Sequence, residues 1–169
     1  ESFRKAGGKT LMMSNVDNLS ATLDPAVLGA HLEAGAARTA EMAPKEAGDK
    51  GGAPARVDGK AQIVEAFRFP QDFDQSRIPV FITNTFVLDA AAIDADFPLT
   101  WFAVEKTVDG QPAVQFERLV GELTAFLDSA FLRVERHGPD ARFQPIKTPA
   151  DMDKERPDIV TALRARGSL

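Results

Sequence analysis

Apolar residues occur along this chain in short runs separated by glycine, proline and polar clusters, a spacing that predicts short strands alternating with helices. The run Leu11-Met12-Met13 predicts a buried strand over 9–14, and the residues before it, Glu1 to Ala6, read as the last turns of a helix ended by Gly7-Gly8. Asp24-Pro25 offers an N-cap and a first-turn proline for a helix carrying Val27, Leu28, His31 and Leu32 on one face. Arg38 to Ala43 predicts the next strand and Pro79 to Thr83 another. Val87 to Ala95 reads as a short alanine-rich helix, and Glu117 to Leu127 as an amphipathic one through Leu119, Val120, Leu123, Phe126 and Leu127. Phe131 to Val134 predicts a strand, and a charged helix cut by Pro157 follows Pro149.

Two segments break this alternation. Ala53–Val57 and Lys60–Ala66 flank Asp58-Gly59, and Trp101–Val108 and Pro112–Phe116 flank Asp109-Gly110. Asp-Gly between two strand-like runs suits the positive φ angles of a tight hairpin. The fold class is therefore α/β, a mixed sheet flanked by helices with β-hairpin insertions. Trp101 and the phenylalanines, which alternate in strands or fall on apolar helix faces, are expected in the core.

Composition narrows the classes. The 169 residues are 44% hydrophobic, enough for one ordinary core, and 25 acidic against 20 basic side chains leave a net charge of −5. That balance argues against nucleic acid or an anionic membrane as a partner bound by bulk electrostatics. There is no cysteine, which excludes thiolate metal sites and cysteine nucleophiles, and the histidines, His31 and His137, are too far apart to suggest a metal cage. His31 reads as packed and His137 as loop surface. No apolar run reaches the length of a membrane span and no signal peptide opens the chain, so a cytoplasmic location is expected.

The chemistry-bearing residues gather at strand ends. Ser14-Asn15-Val16-Asp17-Asn18-Leu19 follows the first strand, and ligands of open α/β sheets sit beyond the carboxyl ends of strands. Asp17 is thereby a candidate metal or hydroxyl ligand, with an Asx turn capping a helix as the alternative. Lys45, Lys50, Gly51 and Gly52 share one polar loop, either a solvated basic loop or an anion contact with close backbone approach. Its spacing is not that of a Walker loop. Glu65 lies in an apolar strand, facing inward to hydroxyl donors or outward to water. Asn84, at a strand end, suits a vicinal diol or a turn. Lys147 follows two apolar residues, either held against the sheet or snorkelling to water. No Ser-His-Asp arrangement is evident.

Taken in order, Ser14 to Leu19, Lys45 through Asp49-Lys50-Gly51-Gly52, Val64-Glu65, Phe81-Ile82-Thr83-Asn84-Thr85, Glu105 to Gly110, Gln115-Phe116-Glu117 and Phe143-Gln144-Pro145-Ile146-Lys147-Thr148 resemble the UTP–glucose-1-phosphate uridylyltransferases. The order and spacing cover nearly the whole chain. The resemblance implies a Rossmann-like mixed sheet, with residues 1–169 forming the C-terminal portion of one nucleotidyltransferase catalytic domain. It implies uridylyl transfer from UTP to glucose 1-phosphate, giving UDP-glucose and pyrophosphate, with Mg²⁺ as cofactor. Asp17 would hold the metal or the nucleotide and Lys147 the phosphates, the pair being the catalytic residues. Asn15, Lys50, Gly51, Gly52, Glu65, Asn84 and Lys106 would contact substrate, Glu65 and Asn84 through glucose hydroxyls. Lys45, Lys50 and Lys106 are weaker carry-overs.

Two departures accompany the resemblance. Ile82 stands where the family commonly has asparagine, and the family's glycine-rich N-terminal loop has no counterpart here. The fold is thus expected to be incomplete at its N-terminus, with an N-terminal part of the same protein as partner, and the chain alone to be a poor enzyme. A pyrophosphorylase for another sugar phosphate, such as an N-acetylhexosamine, and a non-catalytic sugar-nucleotide-binding module are the alternatives.

Overall fold

The computed structural model describes residues 2–49 and 51–169. Its centre is a four-stranded sheet in the order β1-β5-β2-β8, made by β1 (Thr10–Met13), β5 (Val80–Asp89), β2 (Arg38–Pro44) and β8 (Ser129–Arg133). β5 runs antiparallel to both its neighbours, β1 and β2, while β2 and β8 are parallel, so the expected mixed sheet is present. Three carboxyl ends, those of β1, β2 and β8, consequently meet the amino end of β5 on one edge.

The predicted hairpins form as read. β3 (Ala53–Val57) pairs with β4 (Lys60–Val64), and β6 (Phe102–Val108) with β7 (Gln111–Glu117). The turn residues Asp58 and Gly59 have φ of 49° and 81°, and Asp109 and Gly110 have 50° and 76°. Glycine adopts such angles without steric cost and aspartate tolerates them.

Helix α1 (Ser2–Lys5) is a single turn. Helix α2 (Pro25–Ala34) is capped by the Asp24 carboxylate, which accepts from the Ala26 amide at 2.8 Å, and ends at Gly35 with φ 60°. It buries Val27 and His31, whereas Leu28 and Leu32 are exposed. His31 is packed as expected, its Nδ1 2.9 Å from the Thr39 hydroxyl, and burial lowers its pKa against the raising pull of Asp89.

Three predicted elements differ. The helix expected over Val87 to Ala95 is instead the end of β5, where Val87 and Leu88 pair with both β1 and β2, followed by a turn after Asp89. A central strand buried on both faces carries no alternation, so periodicity alone does not separate it from a helix. The expected helix from Glu117 to Leu127 is divided between β7 and a 3-10 turn, Val120–Ala125. Pro157 does not cut the last helix, since α3 (Pro149–Ala165) runs through it. A capping box between Thr148 and Asp151 starts α3, burial of Ile159 and Ala162 holds its second half, and the Thr161 hydroxyl donates to the Pro157 carbonyl at 2.9 Å.

The core gathers Ala40, Met42, Ile63, Ile82, Phe86 and Leu88, with a second cluster of Ala43, Phe81 and Val134. Phe81 and Phe86 are buried as expected, but Trp101, Phe67 and Phe116 are exposed. Trp101 lies under the Arg118 guanidinium at 4.5 Å, and Phe67 packs edge-on against Phe102.

Candidate functional site

Beyond the carboxyl end of β1 the chain turns through Asn15, whose carbonyl accepts the Asn18 amide at 3.1 Å. Asn18 is buried and joins this turn to a segment from the other end of the sequence. Its side-chain amide donates to the Arg142 carbonyl at 3.0 Å, and its side-chain oxygen accepts from the Gln144 amide at 2.9 Å. Leu19 donates to the Gln144 carbonyl at 3.2 Å, the Ser20 hydroxyl bonds the Gln144 side chain, and Ile146 donates to the Asp17 carbonyl at 2.8 Å. Asp17 and Lys147 thereby lie on two segments joined in one short ladder, whose single antiparallel bridge pairs Asn18 with Pro145. Asp17 is half-buried, and its Oδ1 is a buried acceptor with no hydrogen-bond donor. Lys147 is exposed, not held against the sheet. Its backbone amide, 3.0 Å from Asp151 Oδ2, belongs to the cap of α3, which leaves the ammonium in solvent at the mouth of the site.

The ladder rests on a buried ion pair that the sequence did not reveal. Glu41, fully buried in β2, receives Arg142 Nε at 2.8 Å on one oxygen and Nη2 at 2.6 Å on the other. The same guanidinium donates to the Thr22 carbonyl at 3.1 Å and to Asp24 at 3.3 Å, tying the turn before α2 to the sheet.

The loop after β2 is also fixed. Asp49 binds the Arg136 guanidinium, with Nη2 at 3.1 Å, and accepts the Glu46 amide at 2.7 Å, while Glu46 meets His137 at 2.5 Å. Burial alone would raise the Asp49 pKa, but the bonds from Arg136 and the Glu46 amide, with the Arg136 charge, outweigh it and hold the carboxyl below the ordinary range. His137 is exposed, as expected of loop surface. Lys45 is half-buried, its ammonium 3.4 Å from the Gln75 carbonyl. Lys50 lies outside the described residues.

Gly51, Gly52 and Glu65 come together beside the first residues of β5, and Asn84 lies farther along that strand. The Gly52 carbonyl accepts the Ile82 amide at 2.8 Å, and a Cβ on Gly51 would touch the Phe81 ring at 3.4 Å. A Cβ on Gly52 would stand 3.0 Å from Ile63 Cγ2 and 3.1 Å from Glu65 Oε1, so glycine here lets the carboxylate approach closely. Burial raises the Glu65 pKa, against the lowering pull of Arg68. Asn84 sits past the last β1–β5 pair, Met13 with Phe86, where a bulge opposite Glu41 interrupts the β2–β5 ladder. It has φ 57°, an angle that asparagine tolerates better than most residues, and Thr83, which donates to the Glu41 carbonyl at 3.1 Å, anchors it.

Lys106 is held apart from these groups in the β6–β7 hairpin. Its ammonium donates to Gln115 at 2.7 Å and to Glu117 at 2.8 Å. Asn18, Arg142, Gln144 and Glu41 are the residues sequence reading missed. Asn18 and Gln144 lay within the quoted motif segments without being singled out, and nothing local pointed to Arg142 or Glu41.

A family model described as UTP–glucose-1-phosphate uridylyltransferase matches residues 1–161. The chain is 28% identical over 171 residues to the UTP–glucose-1-phosphate uridylyltransferase of Saccharomyces cerevisiae, an alignment covering 90% of this chain and 33% of that protein. Among solved structures it resembles the UDP-glucose phosphorylase of Trypanosoma brucei, with a TM-score of 0.72 at 24% identity, over 89% of this chain and 36% of the other. A point mutant of the Leishmania major UDP-glucose pyrophosphorylase, solved in complex with UDP-glucose, gives a TM-score of 0.70 at 23% identity, over 89% and 37%. These structural likenesses establish the nucleotidyltransferase-like fold. The chain spans about a third of the length of the curated relatives it matches.

Proposed function

Because the chain belongs to the UTP–glucose-1-phosphate uridylyltransferase family, we propose that it forms the sugar side, and part of the phosphate and metal side, of a site joining UTP to glucose 1-phosphate. The observation that carries this reading is the ladder that sets Asp17, with its unpartnered buried oxygen, beside the exposed Lys147 at the carboxyl end of the sheet.

In the reaction an oxygen of glucose 1-phosphate attacks the α-phosphorus of UTP. The new phosphorus–oxygen bond forms as the bond from that phosphorus to the bridging oxygen of the β-phosphate breaks, and the electron pair leaves with pyrophosphate. The nucleophile is already an anion, so the chain's tasks are alignment and neutralisation of charge. Lys147, free to reach outward, holds phosphate oxygens. The Gly52 backbone, Glu65 and Asn84 take the glucose hydroxyls, and a partly buried carboxyl such as Glu65 gains from hydroxyl donors. Asn15, Gly51 and Lys50 are assigned to substrate by the family resemblance, and Lys106 enters only as a further substrate contact from its hairpin.

The orphaned Asp17 oxygen fits a cation. Among the described residues no group of three or more acidic or histidine side chains could hold a metal, so Mg²⁺ would take one protein oxygen here and find the rest of its shell in phosphates and water. When bound, it supplies further neutralisation of the phosphates. The span of about a third of the relatives supports a further part of the same protein as the source of the uracil and triphosphate contacts. The test is calorimetric titration of glucose 1-phosphate and UDP-glucose into the purified chain. Both should bind, and Glu65→Gln and Asn84→Ala should each weaken them about tenfold, the loss of roughly one hydrogen bond to a charged or fixed group. No binding of either ligand would overturn the reading.

A further inference from the structure

The Glu65 carboxylate lies in a slot with two glycine walls from distant parts of the chain. One is Gly52. The other is Gly121, where a Cβ would stand 3.4 Å from the same Oε1 and 2.9 Å from Ile63 Cγ2, closer than real Cβ atoms approach. Gly121 has no positive φ, so its backbone conformation does not require glycine. The space beside Ile63 does, with the Glu65 carboxylate in contact at its edge.

The Gly121 peptide is pinned. Thr124, fully buried, donates its hydroxyl to the Gly121 carbonyl at 2.8 Å and accepts the Ile63 amide at 2.8 Å, which stitches the 3-10 turn to β4 two positions before Glu65. From the sheet, Arg38 Nη1 donates to the Val120 carbonyl at 2.8 Å and to the Gly121 carbonyl at 3.4 Å. Arg38 is fully buried with its guanidinium 4.0 Å above the Phe86 ring, and its Nε and Nη2 have no hydrogen-bond partner. Burial lowers its pKa to about 10, which leaves it cationic at neutral pH. Such a group costs folding free energy that an apolar residue would not, so stability alone does not account for it.

We propose that Gly121, fixed by Arg38 and Thr124, is the second wall of the sugar-side site and sets where the Glu65 carboxylate stands, which makes Gly121 and Arg38 positioning residues for sugar recognition. The proposal rests on the reading of Glu65 as a glucose contact.

Two measurements on the purified chain test it: titration of the Glu65 carboxyl followed by carbon-13 NMR, and the affinity for glucose 1-phosphate beside that for inorganic phosphate. Gly121→Ala should bring the Glu65 titration down toward that of an ordinary glutamate and weaken glucose 1-phosphate about tenfold, with inorganic phosphate unaffected. Thr124→Val, which removes both stitching bonds without the added methyl's clash, should move both readouts the same way. Arg38→Gln should do so too, and Arg38→Lys should restore part of each. Wild-type Glu65 titration and wild-type affinity in folded Gly121→Ala or Thr124→Val would overturn the proposal. Unchanged glucose 1-phosphate affinity in Glu65→Gln would instead overturn the reading of Glu65 as a sugar contact, and the Glu65 titration would still decide whether Gly121 positions it.

Discussion

The carbonyl of Asp17 accepts the backbone amide of Ile146 at 2.8 Å, and this bond ties together the two segments that carry the opposite charges of Asp17 and Lys147. The Asp17 carboxylate and the Lys147 ammonium are kept from neutralising each other: one has an oxygen turned into the protein, the other extends into solvent. The exposed Lys147 ammonium therefore remains available to a ligand bearing phosphate.

Lys147→Ala should weaken glucose 1-phosphate by about 10- to 100-fold, the range for one hydrogen bond between a cation and a phosphate. The side chain is exposed, so the urea midpoint should stay near wild type. Unchanged affinity, measured by calorimetry, would remove Lys147 from the phosphate site.

Asp17→Asn keeps the backbone bond to Ile146 and removes the charge. If Asp17 meets Mg²⁺, added Mg²⁺ should tighten UDP-glucose binding to the wild-type chain and have little effect on the variant. Equal Mg²⁺ dependence in both would exclude the carboxylate as a metal contact.

Asn18→Ala removes both side-chain bonds of the ladder, to the Arg142 carbonyl and from the Gln144 amide. It leaves buried backbone groups unpaired, a cost of about 1–3 kcal/mol in chemical unfolding. Sugar-phosphate binding should weaken as well, although Asn18 is not assigned a ligand contact, because the Asp17–Lys147 spacing depends on it.

Arg142→Met leaves the Glu41 carboxylate fully buried without the guanidinium that holds both its oxygens. Loss of one partner of a buried pair costs roughly 3–5 kcal/mol, whereas replacing both partners with apolar side chains is often near neutral. Denaturant unfolding should therefore find the single variant much less stable than the Glu41→Met, Arg142→Met double variant.

Two carboxyls give pH dependences of opposite sign. The folded Asp49 pKa is lowered, so its stabilisation is complete above the unfolded aspartate value of about 4 and disappears as pH falls through the lowered one. The advantage of wild type over Asp49→Asn should shrink over that window. The folded Glu65 pKa is raised, so the folded state holds its proton more readily and stability is lost as pH rises from the ordinary glutamate value, about 4.3, through the raised one. Glu65→Gln should gain on wild type as pH rises there. Urea midpoints across pH check both, and parallel curves would contradict the burial and bonding described for each residue.

Local chemistry was legible wherever it acts between near neighbours. Asp58-Gly59 and Asp109-Gly110 specified their hairpins, Asp24-Pro25 capped α2, and Thr148-Pro149 started α3, because a turn or cap needs only the φ preferences and side-chain bonds of adjacent residues. The ordered motifs from Asp17 to Lys147 also carried the family, since their sequence does not depend on contacts. Tertiary structure decided the rest. Val87-Leu88 is strand and not helix because it pairs on both edges with β1 and β2. Glu117 to Leu127 is not one helix because the Gly121 carbonyl and the Thr124 hydroxyl are taken by Arg38 and by the Ile63 amide. The Glu65 slot and the Asp17–Lys147 spacing likewise arise where segments remote in sequence meet, and a hydrogen bond between such segments leaves no periodicity or motif in the chain that makes it.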